Sequence, residues 1–264
     1  SLFEPTEKSF IQSMITASYP SVETSVIKTA ITTAVAAKTF LEKAFLLDIK
    51  YAGKSRSEKF EEIRKHLTEI SADVLLLTSL DDIAWLFNIR GNDVACNPVV
   101  LSYALISKDY VKLYVNNSVL SEEVIKILNN DGVTICSYND IYDDVKTLND
   151  DVVVYQKNRV NYALSALINA KRLINEVNYT TILKAVKNET EIKNAYLAHL
   201  KDGVAVTKFI YWLKTNVGKI YIDELSASKK LEEFRSEQAN FMGVSFETIA
   251  GYKEHGAIIH YGAT

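Results

Sequence analysis

The alternation of short aliphatic runs with helical patterns is the feature of this sequence that most constrains its fold. Between residues 74 and 115 the runs VLLLT, IAWLFNI, VVLSYALI and YVKLYV are separated by the turn-forming clusters SLDD, RGND and SKD. This arrangement is typical of strands. Further strands are predicted for VTICSY after the Asp131–Gly132 turn, for Val152–Tyr155 and for RLINEV. The sequence therefore predicts an α/β fold in which helices cover a sheet.

Helices are predicted before and between these strands. Residues 23–47 contain no Gly or Pro and place apolar residues at helical spacing, and residues 52–70 repeat that spacing through KFEEIRKHLTEI. Ser121 is predicted to cap the helix EEVIKILNN, because its hydroxyl can accept from an unpaired backbone N–H of the first turn. A short helical segment, IYDDVKTL, precedes the strand that begins at Val152.

The last third of the chain changes pattern. A helix beginning at Glu189 carries one apolar stripe with a spacing of four residues, which is predicted to be buried against a sheet. The stripe comprises Ile192, Tyr196, Leu200 and Val204. Residues 223–241 form a second helical pattern, with Asp223 as its candidate N-cap. Alternation in VSFETIAG and GAIIHY predicts two strands after these helices.

Charge and composition exclude several functional classes. The 264 residues include 30 Lys and Arg against 33 Asp and Glu, and a net charge of -3 offers no basic surface for nucleic acid. No apolar run approaches the length of a membrane span, so we expect no membrane partner. Cys96 and Cys136 alone predict neither a disulfide framework nor a metal knuckle, and reduced thiols in a cytoplasmic protein are the expectation.

His260 is the candidate residue for chemistry. It ends an apolar, strand-like run on the same face as Ile258, where a histidine needs either a hydrogen-bonding partner in the core or a functional task. His255 and His260 would project to opposite faces of a strand, so they do not form a ligand pair. The acidic pairs at positions 81–82, 143–144 and 150–151 are interpreted as turn or solvated acids. We therefore predict no metal site in this chain.

The RGND loop supports a second, weaker hypothesis. Arg90 and Asp93 lie on a charged, glycine-containing loop after an apolar run, and such a loop can face a substrate channel. The alternative is a turn that the Arg90 and Asp93 side chains close.

Two stretches of the chain resemble a known enzyme family. In the order in which they occur, residues 183–206, 223–241 and 245–261 resemble the start of the catalytic domain of the Xaa-Pro aminopeptidases, or aminopeptidases P. Upstream, ADVLLLTSLDDIAWLFNIRGNDVACNPVVLSYALI resembles the middle domain of the long, three-domain form, with its RGxDxxxNP loop. Together the two stretches cover roughly residues 48–264.

The resemblance implies a domain organisation. Residues 48–177 would form a creatinase amino-terminal-like α/β middle domain. Residues 178–264 would form the first part of a pita-bread α+β catalytic domain, and residues 1–47 stay unassigned and are predicted to be helical. The boundary is expected near residues 177–181, where no linker rich in Pro, Gly or Ser occurs.

The resemblance also implies an activity. Members of this family release the amino-terminal residue from peptides with proline in the second position, using two divalent metal ions, usually manganese, held by two Asp, one His and two Glu. None of those five ligands matches a residue of this chain, so no catalytic residue is assigned here. The resemblance implies that His260, which matches a substrate-contacting histidine of the family, would bind substrate by donating a hydrogen bond to the peptide. The full-length protein is expected to be a homodimer.

Three interpretations stay open. The chain is a fragment of a manganese-dependent aminopeptidase P, a noncatalytic binding or regulatory chain from the same family, or a creatinase-like amidohydrolase. The first is favoured because two helices and two strands amount to half a domain. Without the rest of that domain, the apolar stripe through Ile192 and Leu200 would face water.

Overall fold

The computed structural model describes residues 43–263, and that part of the chain contains eight strands and nine α-helices. The strands are β1 (Phe45–Leu46), β2 (Val74–Leu77), β3 (Ile89–Arg90), β4 (Ser102–Ser107), β5 (Val111–Val115), β6 (Val133–Ser137), β7 (Val152–Tyr155) and β8 (Arg172–Asn175). The helices are α1 (Ile49–Ala52), α2 (Arg56–Glu69), α3 (Leu80–Leu86), α4 (Glu122–Asn130), α5 (Ile141–Asp144), α6 (Tyr162–Leu167), α7 (Tyr179–Ala185), α8 (Glu189–Asn216) and α9 (Glu224–Ser236).

Six of the strands form one mixed sheet in the order β6-β5-β4-β2-β7-β8. Strand β4 runs antiparallel to its neighbours β2 and β5, whereas the pairs β2–β7, β7–β8 and β5–β6 are parallel. All four residues of β2 are buried, as expected for a central strand covered on both faces. The predicted α/β fold is therefore confirmed.

The core lies against the central strands of this sheet. On one side Phe60 of α2 meets Phe87 edge to face, with ring centroids 5.2 Å apart. Another cluster joins the strands to α5 and α6. Its buried members are Val74, Leu76, Leu105, Tyr114, Ile141, Val145, Leu148, Val153, Tyr155 and Leu164.

The helix predicted for residues 23–47 falls largely outside the described residues, and for residues 43–47 the prediction is wrong. Phe45 and Leu46 form β1, which pairs antiparallel with β3. The backbone N–H of Leu47 donates to the carbonyl of Asn88 at 2.7 Å. A partner strand far along the sequence thus overrides the local helical pattern.

Residues 83–89 were predicted as a strand, and this prediction is wrong. They belong mainly to α3, which has Asp81 and Asp82 in its first turn. Ile83, Leu86 and Phe87 are all buried, at the spacing of three and four residues that a helix requires. Short apolar runs of this length are ambiguous between strand and helix, and the acidic first turn favours the helix.

The predicted caps are confirmed. The hydroxyl of Ser121 accepts a hydrogen bond from the N–H of Val124 at 3.3 Å, at the start of α4. The carboxylate of Asp223 accepts from the N–H of Ser226 at 2.7 Å, at the start of α9. Caps are predictable because donor and acceptor lie within one helical turn.

The two strands predicted for residues 244–251 and 256–261 are absent from the described part of the chain. Residues 244–252 have no regular structure, and Lys253–Ala257 form a 3-10 helix. A strand needs a neighbour for its backbone hydrogen bonds, and no strand within residues 43–263 lies beside this segment. The alternation of apolar and polar residues was therefore not enough to predict a strand here.

The apolar stripe of α8 was predicted to be buried, and in residues 43–263 it is exposed. Tyr196 and Leu200 are 78% and 66% exposed, and Ile192 and Val204 are also exposed. Helix α8 packs against α9, and no sheet covers its stripe in the described part of the chain. None of the helices within these residues has the length and apolar character needed to cross a membrane.

Truncating a residue of the central strand tests this core. We expect Leu76→Ala to lower the free energy of unfolding by about 3 kcal/mol, because it leaves a cavity where Leu76 is 1% exposed. The matched control is Leu173→Ala on the edge strand β8, where Leu173 is 43% exposed and the loss should stay below about 1 kcal/mol. Urea unfolding of the three proteins measures both effects, and equal losses would contradict this description of the core.

Candidate functional site

Arg90, the last residue of β3, and Asp93, in the loop that follows, are the predicted channel residues. Nη1 of Arg90 donates hydrogen bonds to the carbonyl oxygens of Ala84 at 2.6 Å and Ile89 at 2.9 Å. The carboxylate of Asp93 accepts from the N–H of Leu101 at 2.7 Å. Both side chains therefore bond the nearby backbone, which agrees with the alternative of a closed turn. Contact of this loop with substrate stays a prediction.

Lys59 of α2 is a buried ammonium group beside the end of α3. Its Nζ donates to the carbonyl of Trp85 at 2.7 Å and to Oδ1 of Asn88 at 2.6 Å. It also lies 4.2 Å from the centroid of the Trp85 ring, a cation–π contact. Burial lowers the pKa of Lys59 to about 8, opposed by the negative charge of Glu191 and reinforced by the positive charge of Arg90. A single charge thus holds the end of α3 in place.

The start of α8 is attached to the helices α1 and α3 by polar contacts. Nε1 of Trp85 donates to Glu191 at 3.2 Å, and Glu191 forms a capping box with Asn188. Nδ2 of Asn188 donates to the carbonyl of Ala52 at 2.9 Å. Gly53 has a φ of +69°, and a Cβ there would lie 2.3 Å from Oδ1 of Asn188, so only glycine permits this approach.

Asp82 corrects the prediction that the acidic pairs are solvated. It is 2% exposed and lies 2.9 Å from Nζ of Lys184 on α7. Its Oδ2 accepts a hydrogen bond from the hydroxyl of Thr181 at 2.9 Å. Lys184 also pairs with the more exposed Asp81, and this hydrogen bond is the main influence that lowers the pKa of Asp81 against the opposing effect of burial. Asp81 and Asp82 therefore link α3 to α7 through Lys184. Asp82 is buried and not solvated.

Asp144 is a second partial correction. Its carboxylate accepts from Nζ of Lys112 at 2.8 Å and from the hydroxyl of Tyr114 at 2.5 Å. Asp143 and Asp150 are exposed, as predicted. Sequence reasoning missed the role of Asp144 because its partners lie 30 and 32 residues away.

His260 lies on the surface near the end of the described residues. Its side chain is exposed and makes no hydrogen bond within residues 43–263, and its backbone has a φ of +56°. It is therefore not a satisfied core histidine in this structure, and it does not end a strand as predicted. The imidazole is free to meet a ligand, and its role in binding substrate stays a prediction.

A cluster beside His260 was not predicted. Glu224, in the first turn of α9, accepts from the hydroxyl of Tyr261 at 2.6 Å and lies 3.1 Å from Nδ1 of His255. The Tyr261 hydrogen bond is the main cause that lowers the pKa of Glu224. No spacing in the sequence signals this cluster, because Glu224 lies 31 residues from His255 and 37 residues from Tyr261. Its polar contacts anchor the chain beside His260.

The described residues do not assemble a metal site. Across residues 43–263, no three or more His, Cys, Asp or Glu side chains come together in a group that could hold a metal ion. Glu224 and His255 are only two such donors, and Glu224 already accepts a hydrogen bond from Tyr261.

Part of the chain matches the N-terminal domain of a known protein family. The family described as "Creatinase/Prolidase N-terminal domain" matches residues 37–191, more than half of the 264-residue chain. This range contains the six-stranded sheet, the RGND loop and the first residues of α8.

Among curated proteins, "Probable Xaa-Pro aminopeptidase P" of Neurospora crassa is 40% identical over 233 residues, covering 83% of this chain and 34% of that protein. "Xaa-Pro aminopeptidase 1" of Dictyostelium discoideum is 35% identical over 222 residues, covering 82% and 35%. The chain thus spans about a third of the length of these relatives.

Among solved structures, the X-prolyl aminopeptidase of Caenorhabditis elegans matches with a TM-score of 0.76 and 26% identity, over 80% of this chain and 36% of that one. It is described as a cytosolic enzyme with a di-nuclear active site. The Xaa-Pro dipeptidase of Bacillus anthracis, at 18% identity and a TM-score of 0.50, covers 69% of this chain and 49% of that one and shows the fold alone.

The buried ammonium of Lys59 makes a prediction about pH. Its folded pKa of about 8 lies below the ordinary value of 10.5, so the unfolded chain binds more protons between these values. The free energy of unfolding should therefore rise with pH in this window, by roughly 1–2 kcal/mol between about pH 8 and pH 9.5. Lys59→Met should remove this rise.

The matched control is Lys65→Met, which changes an exposed lysine of the same helix and should leave the pH dependence intact. Urea unfolding at a series of pH values measures the slope for all three proteins. An unchanged slope in Lys59→Met would show that the ammonium is not the titrating group.

Proposed function

Because the chain belongs to the creatinase/prolidase family, with that family's N-terminal domain at residues 37–191, we propose that it is part of a metallo-exopeptidase. The reaction is release of the amino-terminal residue from peptides with proline in the second position. Such a bond lacks the N–H of an ordinary amide and has a fixed φ on its prolyl side, so it calls for a dedicated site.

The similarity to the aminopeptidase P relatives is the observation that carries this proposal. The identity of 40% extends over 83% of the chain, which is more than residues 37–191 occupy. The similarity therefore continues beyond the N-terminal domain and into α8. A shared N-terminal domain by itself would support only the family.

The exposed apolar stripe of α8 supports the proposal that more of the catalytic domain packs against this helix in the full-length protein. Tyr196 and Leu200 form an apolar surface on a helix whose start is hydrogen-bonded to α1 and α3. Exposed apolar surfaces of this kind mark places where more protein packs. We propose that the remainder of the catalytic domain covers this stripe in the full-length protein.

The metal centre belongs to that remainder. We propose two divalent ions, manganese, in the full-length enzyme, where a metal pair would supply an activated hydroxide. The side chains of residues 43–263 do not fit such a centre, because they form no group of three or more suitable donors. Its ligands would come from the part of the relatives that this chain does not span.

His260 is the residue of this chain that we assign to the substrate. Its exposed imidazole carries no internal hydrogen bond within residues 43–263, so a donor N–H is available. Such a donor can hold the scissile carbonyl and stabilise the negative charge that develops on its oxygen. The Glu224, His255 and Tyr261 contacts would steady the segment that carries it.

We propose that the full-length protein acts in the cytoplasm as a homodimer. The C. elegans neighbour is described as cytosolic, and this chain contains no helix within residues 43–263 that could span a membrane. The net charge of -3 supports a peptide substrate over nucleic acid as the partner.

The activity of the isolated chain tests whether the metal centre lies in the remainder of the full-length protein. We expect the 264-residue chain to show no turnover of a proline-containing peptide with added manganese, since its described residues form no metal site. A protein that continues this chain to the length of its relatives should hydrolyse the same peptide. Release of the amino-terminal residue is measured by mass spectrometry. Turnover by the isolated chain would refute the assignment of the metal centre to the remainder.

Substitution of His260 tests its proposed role in the longer enzyme. Removal of one well-placed donor costs about 3 kcal/mol in the transition state, so His260→Ala should lower kcat/KM roughly 100-fold and leave the melting temperature unchanged. His199→Ala is the matched control, because His199 is an exposed histidine of α8 and should be neutral. Full activity of His260→Ala would remove this residue from the site.

A further inference from the structure

The direction of the His260 imidazole is not fixed by contacts of the imidazole itself. The side chain is exposed and makes no hydrogen bond within residues 43–263. The backbone φ of +56° lies in the left-handed region, which residues with a Cβ adopt mainly where the surrounding structure holds them there. The conformation of His260 is therefore held through its neighbours in the chain.

The neighbouring residue Tyr261 is bonded to a helix. Its hydroxyl donates to Oε2 of Glu224 at 2.6 Å, and Glu224 is the first residue of α9. The same hydroxyl lies 2.9 Å from Nδ1 of His255, and the centroids of the Tyr261 and His255 rings are 4.7 Å apart. Tyr261 is partly buried, whereas His260 beside it is exposed. The fixed side chain is thus Tyr261, and His260 projects from the segment that Tyr261 holds.

The same carboxylate also binds the other end of this segment. Oε1 of Glu224 accepts a hydrogen bond from the N–H of Tyr252 at 2.5 Å. Residues 252–261 therefore form a loop whose two ends are bonded to one side chain. At the start of the loop, the backbones of Gly251 and Gly256 approach closely, since a Cβ on Gly251 would lie 3.0 Å from Cα of Gly256. The loop is closed by Glu224 and packed against itself.

Glu224 has the support that a positioning group requires. Helix α9 packs against α8, and an ion pair joins the two helices, with Nε of Arg235 2.7 Å from Oδ1 of Asp202. The Tyr261 hydroxyl is the main cause that lowers the pKa of Glu224, so this group is a charged carboxylate at neutral pH. Hydrogen bonds to a charged acceptor are roughly twice as strong as those between neutral groups.

We propose that Glu224 is a positioning residue for His260. By holding the Tyr261 hydroxyl, it keeps the backbone of His260 in the left-handed conformation and so directs the imidazole toward the bound peptide. Glu224 acts through Tyr261 and needs no contact with the substrate. This inference rests on the proposed role of His260 in substrate binding.

The conformation of His260 can be measured by NMR in the 264-residue chain, without any activity. A positive φ brings the amide proton of His260 close to its own Hα, so we expect a strong nuclear Overhauser effect between these protons. Glu224→Ala and Tyr261→Phe should weaken it, because each removes the hydrogen bond that holds Tyr261. Glu224→Gln should retain it, since the amide oxygen can still accept from the hydroxyl. Glu232→Ala, at an exposed position of α9, is the matched control.

Kinetics of the longer enzyme show whether this conformation serves the reaction. Tyr261→Phe should lower kcat/KM roughly tenfold, because a displaced donor stabilises the transition state less well. The loss should appear in kcat with KM nearly unchanged, since His260 is assigned to charge that develops in the transition state. In the His260→Ala background, Tyr261→Phe should have no further effect, because Tyr261 acts through the imidazole.

The two measurements separate this proposal from the proposed function. An Overhauser effect that is weak in the unsubstituted chain, or that stays strong in both Glu224→Ala and Tyr261→Phe, would overturn the positioning role. So would full activity of Tyr261→Phe in an enzyme that His260→Ala impairs, or a loss that adds fully to that of His260→Ala. If His260→Ala alone is fully active, the assignment of His260 to the substrate fails, and the NMR result still decides whether Glu224 fixes its conformation.

Discussion

The structure depends on the burial and pairing of the central strand β2. All four of its residues are buried, and it pairs antiparallel with β4 and parallel with β7. It therefore joins the β4-β5-β6 half of the sheet to the β7-β8 half. Each of its four buried aliphatic side chains contributes on the order of 1.5–3 kcal/mol to folding.

Helix α3 follows β2 in the sequence, and polar contacts join it to the helices α7 and α8. Asp82 near its start binds Lys184 of α7, and Trp85 near its end binds Glu191 of α8. Lys59 and Arg90 hold the carbonyl groups at the end of α3. The helices α7 and α8, at the start of the proposed catalytic domain, are therefore held to α3 by directional polar contacts.

Much of the fold could be predicted from the sequence because its signals are local. The strands at β2, β5, β6, β7 and β8 follow from aliphatic runs, and the caps at Ser121 and Asp223 follow from contacts within one turn. Prediction of the candidate site was less successful. The burial of Asp82 depends on Thr181 and Lys184, which lie about a hundred residues away, and the Glu224, His255 and Tyr261 cluster has no local signature.

The sequence by itself determined the α/β class, the family resemblance and the absence of a basic surface for nucleic acid, because propensity, motif order and net charge are properties of the chain. Only the tertiary structure decided that residues 80–86 form a helix, that residues 244–261 form no strand, and that the α8 stripe is exposed. The reason is physical: a strand or an apolar face is defined by the partner that satisfies it, and that partner is not encoded in the segment itself.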